Sequence, residues 1–571
     1  MTTVAPSPAA AALPIHPDAP AAAFDAVREL FTRVGFDEPT VARRMGGPNL
    51  FGFPRLGERR ATMAGPVEDG NAALVRLLLD SEPLPRAVAE STLGREGVEA
   101  LATLGLLVPD PQDGERLRPT MLLTPLQGLW LVSDIPPLAR RPRPGSEAPD
   151  FVFPPANQLT RQFLDTIPPL RGQHMVELCA GAGMVALRAL REGATGAWAT
   201  DVARRSVECS RFNARLNGLE ALVAVTSDAW AAMAGETFDY VCAHPPYVPS
   251  LAHEYDYRDA GEDGEQVTRS IVQGLPEHLR PGGRCSFTAA LSDRRGTPTQ
   301  ERIRAWLGAA ADEFEIVVMR RKDWDTLHAY RSVAGAGAAT FQDLERWMRH
   351  FDALGIERFA LCSVELRRER RTRVPVSEMQ VAGAQLDAAT IDWRFRWAYH
   401  ALAHADSVER LAGQTPRVVP GARLSVQLRA DADRDWVTQG ATVDVDWPVG
   451  AAVRLPPMAP TMLELCDGTR DVPALLAALR AAQLVEDDVT ERDMARLVEL
   501  LCTEGALEIP ACPLPPRPAD ARTDDHSSDW RGALRPADDA PTPQTPRAPQ
   551  AAPAQQATSA TSSVPMQSTR Q

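Results

Sequence analysis

Three carboxylates stand at matching places along the middle of this chain, each at the end of an apolar, β-branched run. Glu177 lies in MVELC, just before Cys179-Ala180-Gly181-Ala182-Gly183; Asp201 closes AWATD; Asp228 closes LVAVTSD and is followed by Ala229. A carboxylate before a glycine turn suits an ammonium group. One at a second tip can accept hydrogen bonds from two ribose hydroxyls, and one at a third can take an exocyclic amine while the Ala229 N–H serves the ring. Glycines at 181 and 183 let the backbone turn sharply and lie close to a ligand, where a side chain would block the approach. FDYVCA then runs into His244-Pro245-Pro246-Tyr247. Two prolines stiffen that loop. Its aromatic ring can stack on a flat nitrogen group whose N–H is accepted by His244 and a backbone carbonyl. Aiming a nitrogen lone pair in this way is catalysis by proximity and needs no strong base.

The glycine turn alone is ambiguous. With Ala186 it also satisfies the relaxed G-x-G-x-x-A dinucleotide pattern, and Asp201, twenty residues after Gly181, suits a ribose in either case. A bare structural turn is a third reading. A nicotinamide site, however, has no use for Glu177 or the Pro-Pro loop, whereas an amino acid, a ribose and an adenine joined in one molecule need all three acids. That molecule is S-adenosylmethionine. The expected cofactor set is therefore Glu177, Cys179, Ala180, Gly181, Gly183, Asp201, Asp228 and Ala229, and the expected catalytic set is His244, Pro245, Pro246 and Tyr247. No metal is expected: there is no C-x-x-C pair and no H-E-x-x-H, and the eight Cys read as reduced core residues.

Elements that position these tips follow from the pattern around them. MVELC, AWATD, LVAVTSD, FDYVCA, RCSFTA, EIVVM and RFALCSVEL are strand-like runs separated by helical stretches such as ARRSVECSRFNARLN. Such alternation predicts an α/β layer fold with a mainly parallel, Rossmann-like sheet and helices on both faces. Ligands in such sheets bind beyond the carboxyl ends of the strands. The spacing divides the chain into a disordered start (1–20), an amino-terminal winged-helix-like domain (21–145), the α/β domain (146–372), a carboxyl-terminal domain ending in a winged-helix-like module (373–512) and a Pro-rich disordered tail (513–571). The pattern LELCDGTRDV, followed by GALE, resembles small winged-helix-like domains related to the peptide chaperone of pyrroloquinoline quinone biosynthesis.

Residues from about 150 to 370 resemble the class I S-adenosylmethionine-dependent methyltransferases of the "small domain" type, which include release-factor glutamine N5-methyltransferases and ribosomal RNA base N-methyltransferases. The resemblance rests on VELCAGAGMVAL, on TDVARRSVECSRFNARLNG with Asn213 and Asn217, on SDAW, on HPPYVP and on YRDAGEDGEQVTRSIVQGLPEHLRPGG. Within the family it is nearest bacterial proteins that share the YRDxGxDG stretch. It implies a seven-stranded sheet whose last strand, RFALCSVEL, is antiparallel, and N-methylation of a planar amide or base nitrogen: a protein glutamine or an RNA base. The family usually carries Asn or Asp at position 244 and Gly at 179; here His and Cys stand there. Methylation of a peptide or small metabolite, or cofactor binding without catalysis, are the alternatives.

Composition narrows the partners. The 571 residues carry a net charge of −14, with 44% hydrophobic and 24% charged residues, so most of the chain should fold and no DNA-binding patch stands out. Five Arg at 367, 368, 370, 371 and 373 suit RNA phosphates or the protection of an exposed strand end. The loop Asp256, Tyr257, Arg258, Asp259, Glu262 and Asp263 reads as a solvated lid, and PPANQLT (154–160) as a linker or a loop over the cofactor. No run of 18 apolar residues exists and the start lacks a basic n-region, which predicts a cytoplasmic protein without membrane contact.

Overall fold

The computed structural model describes residues 13–51, 67–136, 148–251, 254–334, 340–369, 375–381, 386–430 and 436–516. At its centre is one sheet of strands β1 (His174–Leu178), β2 (Gly196–Asp201), β3 (Leu222–Thr226), β4 (Phe238–Ala243), β5 (Leu279–Arg294), β6 (Phe314–Asp325), β7 (Ile356–Arg368) and β8 (Ser377–Val381). Their spatial order is β8-β6-β7-β5-β4-β1-β2-β3. Strand β7 runs antiparallel to β5 and β6, and the other pairs are parallel. The α/β class expected from the sequence is the one found. The sheet has one strand more than the seven expected: β8 pairs with the outer edge of β6 through Ile316 to Arg320.

Helices α1 (Gln158–Asp165), α2 (Met184–Glu192), α3 (Arg204–Leu216), α4 (Gln266–His278), α5 (Thr299–Trp306) and α6 (Ala388–Leu402) complete the elements that bear on the site. Helix α3 forms because Cys209, Phe212, Asn213 and Leu216, spaced three and four apart, bury one side of a 3.6-residue repeat. Helix α2 begins at Gly183 and ends at Gly193, both left-handed, so glycine supplies both boundaries.

Strand order reverses between β1 and β4, which opens a crevice at their carboxyl ends. Leu178 pairs with Ala243 there, so Cys179 and His244 leave the sheet side by side. On the other flank Asp201 pairs with Thr226, and Ser227 N donates to Asp201 O at 2.9 Å, which brings the Asp228 turn beside Asp201.

Residues before 150 share this core. Phe24, Leu30, Leu123 and Val132 are buried in one cluster with Met184, Leu187 and Phe212. The hairpin of Leu122–Leu126 and Leu129–Ser133 ends on α3, where two side-chain amides act as strand partners. Val132 N donates to Asn213 Oδ1 (2.8 Å) and Trp130 N to Asn217 Oδ1 (2.9 Å), while Asn217 Nδ2 donates to Trp130 O (2.8 Å). Each such bond contributes on the order of 1 kcal/mol. The two asparagines therefore tie the amino-terminal region to the sheet.

Two expectations are corrected here. The first twenty residues are not wholly unstructured: Leu13 and Ile15 are buried, His16 N donates to Leu104 O at 3.0 Å, and Arg215 donates to Ala19 O at 2.8 Å. Arg367 and Arg368, the described part of the Arg run, do not guard an exposed strand edge, because β7 lies between β5 and β6. Arg367 is buried against Glu365 and Asp392, and Arg368 donates to Pro276 O (2.8 Å) and pairs with Glu313. Arg370, Arg371 and Arg373 lie outside the described residues, as does the tail beyond 516. Among the described residues no helix is long and apolar enough to cross a membrane.

Candidate active site

A cavity of about 450 Å³ occupies the crevice, within the range of roughly 300–1,000 Å³ common to small-molecule sites. Of the expected site residues, Glu177, Cys179, Ala180, Gly181, Asp201, Asp228, Ala229, His244, Pro245, Pro246 and Tyr247 all line it. Gly183 does not. It is buried behind the turn, where an added Cβ would stand 2.8 Å from the Ser210 hydroxyl, so close packing of α2 on α3 requires a glycine there.

Glu177 and Asp201 are each held by backbone donors at their strand tips. Glu177 is buried, and its Oε2 accepts from Ala186 N (2.8 Å) on the first turn of α2, where the helix dipole favours a carboxylate. Burial nevertheless dominates and pushes its pKa up to about 8, against the lowering effect of the Ala186 and Val185 N–H groups. Asp201 Oδ1 accepts from Ala203 N and Oδ2 from Gly181 N, both at 2.9 Å. Burial again comes first and raises Asp201 to about 6. The Gly181 bond ties the glycine turn to the second strand tip. A Cβ added to Gly181 would meet no protein atom within 4 Å, so the space above this turn is open to a ligand. At the third tip Ser227 Oγ donates to Ala229 O (2.7 Å) and accepts from Ala232 N (3.1 Å), which shapes the turn that carries Asp228 into the cavity mouth.

Cys179 holds φ at +54°, a conformation that L side chains adopt only at a cost of about 1–2 kcal/mol. This is the physical reason a glycine suits that position. Burial raises the Cys179 thiol well above its ordinary pKa, so it is not a thiolate nucleophile. Cys179→Gly is expected to raise stability by about 0.5–1 kcal/mol once glycine's own entropy cost is deducted. Denaturant unfolding of the two chains checks this, and a less stable variant would contradict it.

On the facing side the His244 ring lies 5.4 Å from Phe163 and 6.2 Å from Tyr247, with planes only 22° apart in the second pair. Its ring nitrogens have no protein hydrogen-bond partner among the described residues. Burial lowers its pKa to about 4, so the imidazole is neutral at ordinary pH and offers one lone pair. The segment 154–160, read from sequence as a linker or a loop over the cofactor, is part of a cavity wall: Pro154, Pro155 and Asn157 line it, together with Phe151, Phe153 and Phe163 on either side. Asn157 caps α1 by accepting from Thr160 N at 2.9 Å, which sets Phe163 against His244. The opposite lip is Asp256, Tyr257, Arg258 and Asp259; Tyr257 lies 5.8 Å from both Phe151 and Phe153. Five carboxylates (Glu177, Asp201, Asp228, Asp256, Asp259) thus face the cavity against Arg258, which is itself paired with Asp259 at 2.7 Å. Among the described residues no cluster of His, Cys, Asp and Glu could hold a metal ion.

Residues 156–295 match the methyltransferase small domain. Over 156 residues the chain is 30% identical to a protein named release factor glutamine methyltransferase from Gloeobacter violaceus, covering 25% of this chain and 51% of that one. It is 28% identical over 136 residues to the protein of the same name from Xylella fastidiosa, covering 22% and 50%. A putative protein N5-glutamine methyltransferase from Methanocaldococcus jannaschii is 25% identical over 127 residues, covering 21% and 64%. The chain spans about half the length of the first of these relatives. Among solved structures, the ribosomal protein L11 methylase of Lactobacillus delbrueckii subsp. bulgaricus aligns with 37% of this chain and 77% of its own, at 17% identity and a TM-score of 0.22.

Proposed function

We propose, from a central segment that belongs to the methyltransferase small-domain family, that this chain transfers a methyl group from S-adenosylmethionine to the carboxamide nitrogen of a protein glutamine. The observation that carries the reading is the convergence of three strand-tip acids and the His244-Pro245-Pro246-Tyr247 loop on one cavity. The donor set fits the cofactor. Glu177 would hold its ammonium, Asp201 its ribose hydroxyls, Asp228 and the Ala229 N–H its adenine, and the open space over Gly181 would admit its chain. When bound, S-adenosylmethionine supplies an electrophilic methyl carbon next to a sulfonium.

The chain's residues then act on the acceptor. Tyr247 stacks on the planar amide, and neutral His244 accepts one of its N–H hydrogens, which turns the nitrogen lone pair toward the strand tips. After transfer the nitrogen sheds a proton, and the same uncharged imidazole nitrogen is the nearest acceptor for it. The acidic lip at Asp256 and Asp259 favours an uncharged amide over a nucleic acid, whose phosphates carboxylates repel. The names carried by the relatives point to the same acceptor.

Incubating the purified chain with methyl-labelled S-adenosylmethionine and a cell lysate tests this. Label should enter a fraction destroyed by protease and untouched by nuclease. Nuclease-sensitive label would replace glutamine by an RNA base, and label in no fraction would remove the catalytic reading.

A further inference from the structure

The Tyr247 loop rests on a buried ionic cluster that the reaction itself does not use. Beyond Tyr247 the backbone pairs with the 258–261 segment: Val248 N donates to Arg258 O (2.9 Å), Ala260 N to Val248 O (3.0 Å) and Ser250 N to Gly261 O (2.8 Å). That segment turns at Gly264, whose φ is +73°. A Cβ there would stand 2.7 Å from Tyr247 O and about 3 Å from the Pro249 ring, so the two backbones meet with no room for a side chain.

The next residue, Glu265, is fully buried at 0% exposure. Its Oε1 accepts from Ser292 N (2.7 Å), Ser292 Oγ (2.9 Å) and Arg302, and its Oε2 from Arg294 (2.9 Å) and Arg302. Asp263, on the other side of Gly264, accepts from Glu265 N (2.9 Å), Arg294 (2.7 Å) and Arg269. Ser292 and Arg294 belong to the end of β5 and Arg302 to α5, elements of the rigid sheet layer. A buried carboxylate is tolerated only with such donors, and removing its charge leaves guanidiniums unpaired. The 263–265 turn is therefore fixed to the sheet, and its glycine presses on the carbonyl of Tyr247.

The geometry points to Gly264 and Glu265 as positioning residues for methyl transfer: the cluster sets where Tyr247 stands relative to the strand tips. This rests on the function proposed above, but its first test does not depend on it. The chain has six tyrosines; labelled with 3-fluorotyrosine, the Tyr247 resonance can be assigned by its loss in Tyr247→Phe. Gly264→Ala should shift or broaden that resonance. Gly282→Ala is the control, because Gly282 also has positive φ (+83°) but an added Cβ meets nothing within 4 Å. It imposes similar backbone strain and should leave the Tyr247 signal unmoved.

In the transfer assay Gly264→Ala should lower kcat at least tenfold with the KM for S-adenosylmethionine changed less than threefold, while Gly282→Ala keeps both. Glu265→Gln should behave as Gly264→Ala, and Glu265→Asp should recover part of the rate. An unmoved Tyr247 resonance in Gly264→Ala, or a change of equal size in Gly282→Ala, overturns the assignment. If the wild-type chain transfers no methyl group, the functional reading fails while the fluorine spectra still decide the positioning role.

Discussion

Asp201→Ala is expected to weaken S-adenosylmethionine binding about 100-fold. Hydrogen bonds to a charged group are worth about 1.5–3 kcal/mol each, and a hundredfold loss corresponds to about 2.7 kcal/mol. Asp201 serves twice: its carboxylate is the acceptor proposed for the ribose hydroxyls, and it already holds Gly181 N and Ala203 N in place. Loss of the side chain therefore removes ligand contacts and loosens the glycine turn together. Asp201→Asn, which keeps one acceptor oxygen, should fall between the two. The acid also sets a pH limit. With a pKa raised to about 6, chiefly by burial, Asp201 is ionised at pH 7, and affinity should drop as pH falls through 6 and the carboxyl takes up its proton. Calorimetric titration of the purified chains measures all three; an unchanged dissociation constant in Asp201→Ala would contradict the ribose assignment.

His244→Ala should cut the methyl-transfer rate about 100-fold, the range of one well-placed proton acceptor, while S-adenosylmethionine affinity stays within a few fold. His244→Asn restores a short acceptor at this position and should recover much of the rate. Because burial lowers the His244 pKa to about 4, the ring stays neutral from pH 5 upward. Its contribution should be flat there and vanish only as pH falls through 4, when protonation takes the accepting lone pair. A rate governed by His244 that titrated near 6.5 would show an imidazole exposed to water, contrary to its place between Phe163 and Tyr247.

The sheet and the acids at its tips were legible because their signals are local. Buried parallel strands read as apolar runs, and a glycine turn or a proline pair marks the point where the chain leaves the sheet. Strand β8 was not legible: SEMQV is mostly polar, and it becomes a strand only because the edge of β6 offers unpaired backbone groups. Phe163 was missed for a different reason. Its helix, QLTRQFLD, is eight residues long, too short for a clear repeat, although Asn157 before it is a readable cap. Glu265 was hidden among EDGE, where an acidic run normally means a solvated loop. Its partners Arg294 and Arg302 lie 29 and 37 residues along the chain, and nothing in the local pattern announces them. Gly183 was legible as a turn glycine, but its packing against Ser210 was not, because that contact comes from a different helix.

The central claim is that the cleft grips a cationic adenosyl ligand through Glu177, and proton counting tests it most directly. The free carboxyl, raised to about 8 by burial, is largely protonated at pH 7, and pairing with an ammonium must drive that proton off. Titrating the full chain with S-adenosylmethionine at pH 7, in two buffers of different ionisation enthalpy, should show one molecule bound per chain and net release of most of one proton. That release should shrink above pH 8 and be absent in Glu177→Gln. Binding without proton release, or NADH binding in place of S-adenosylmethionine, would contradict it.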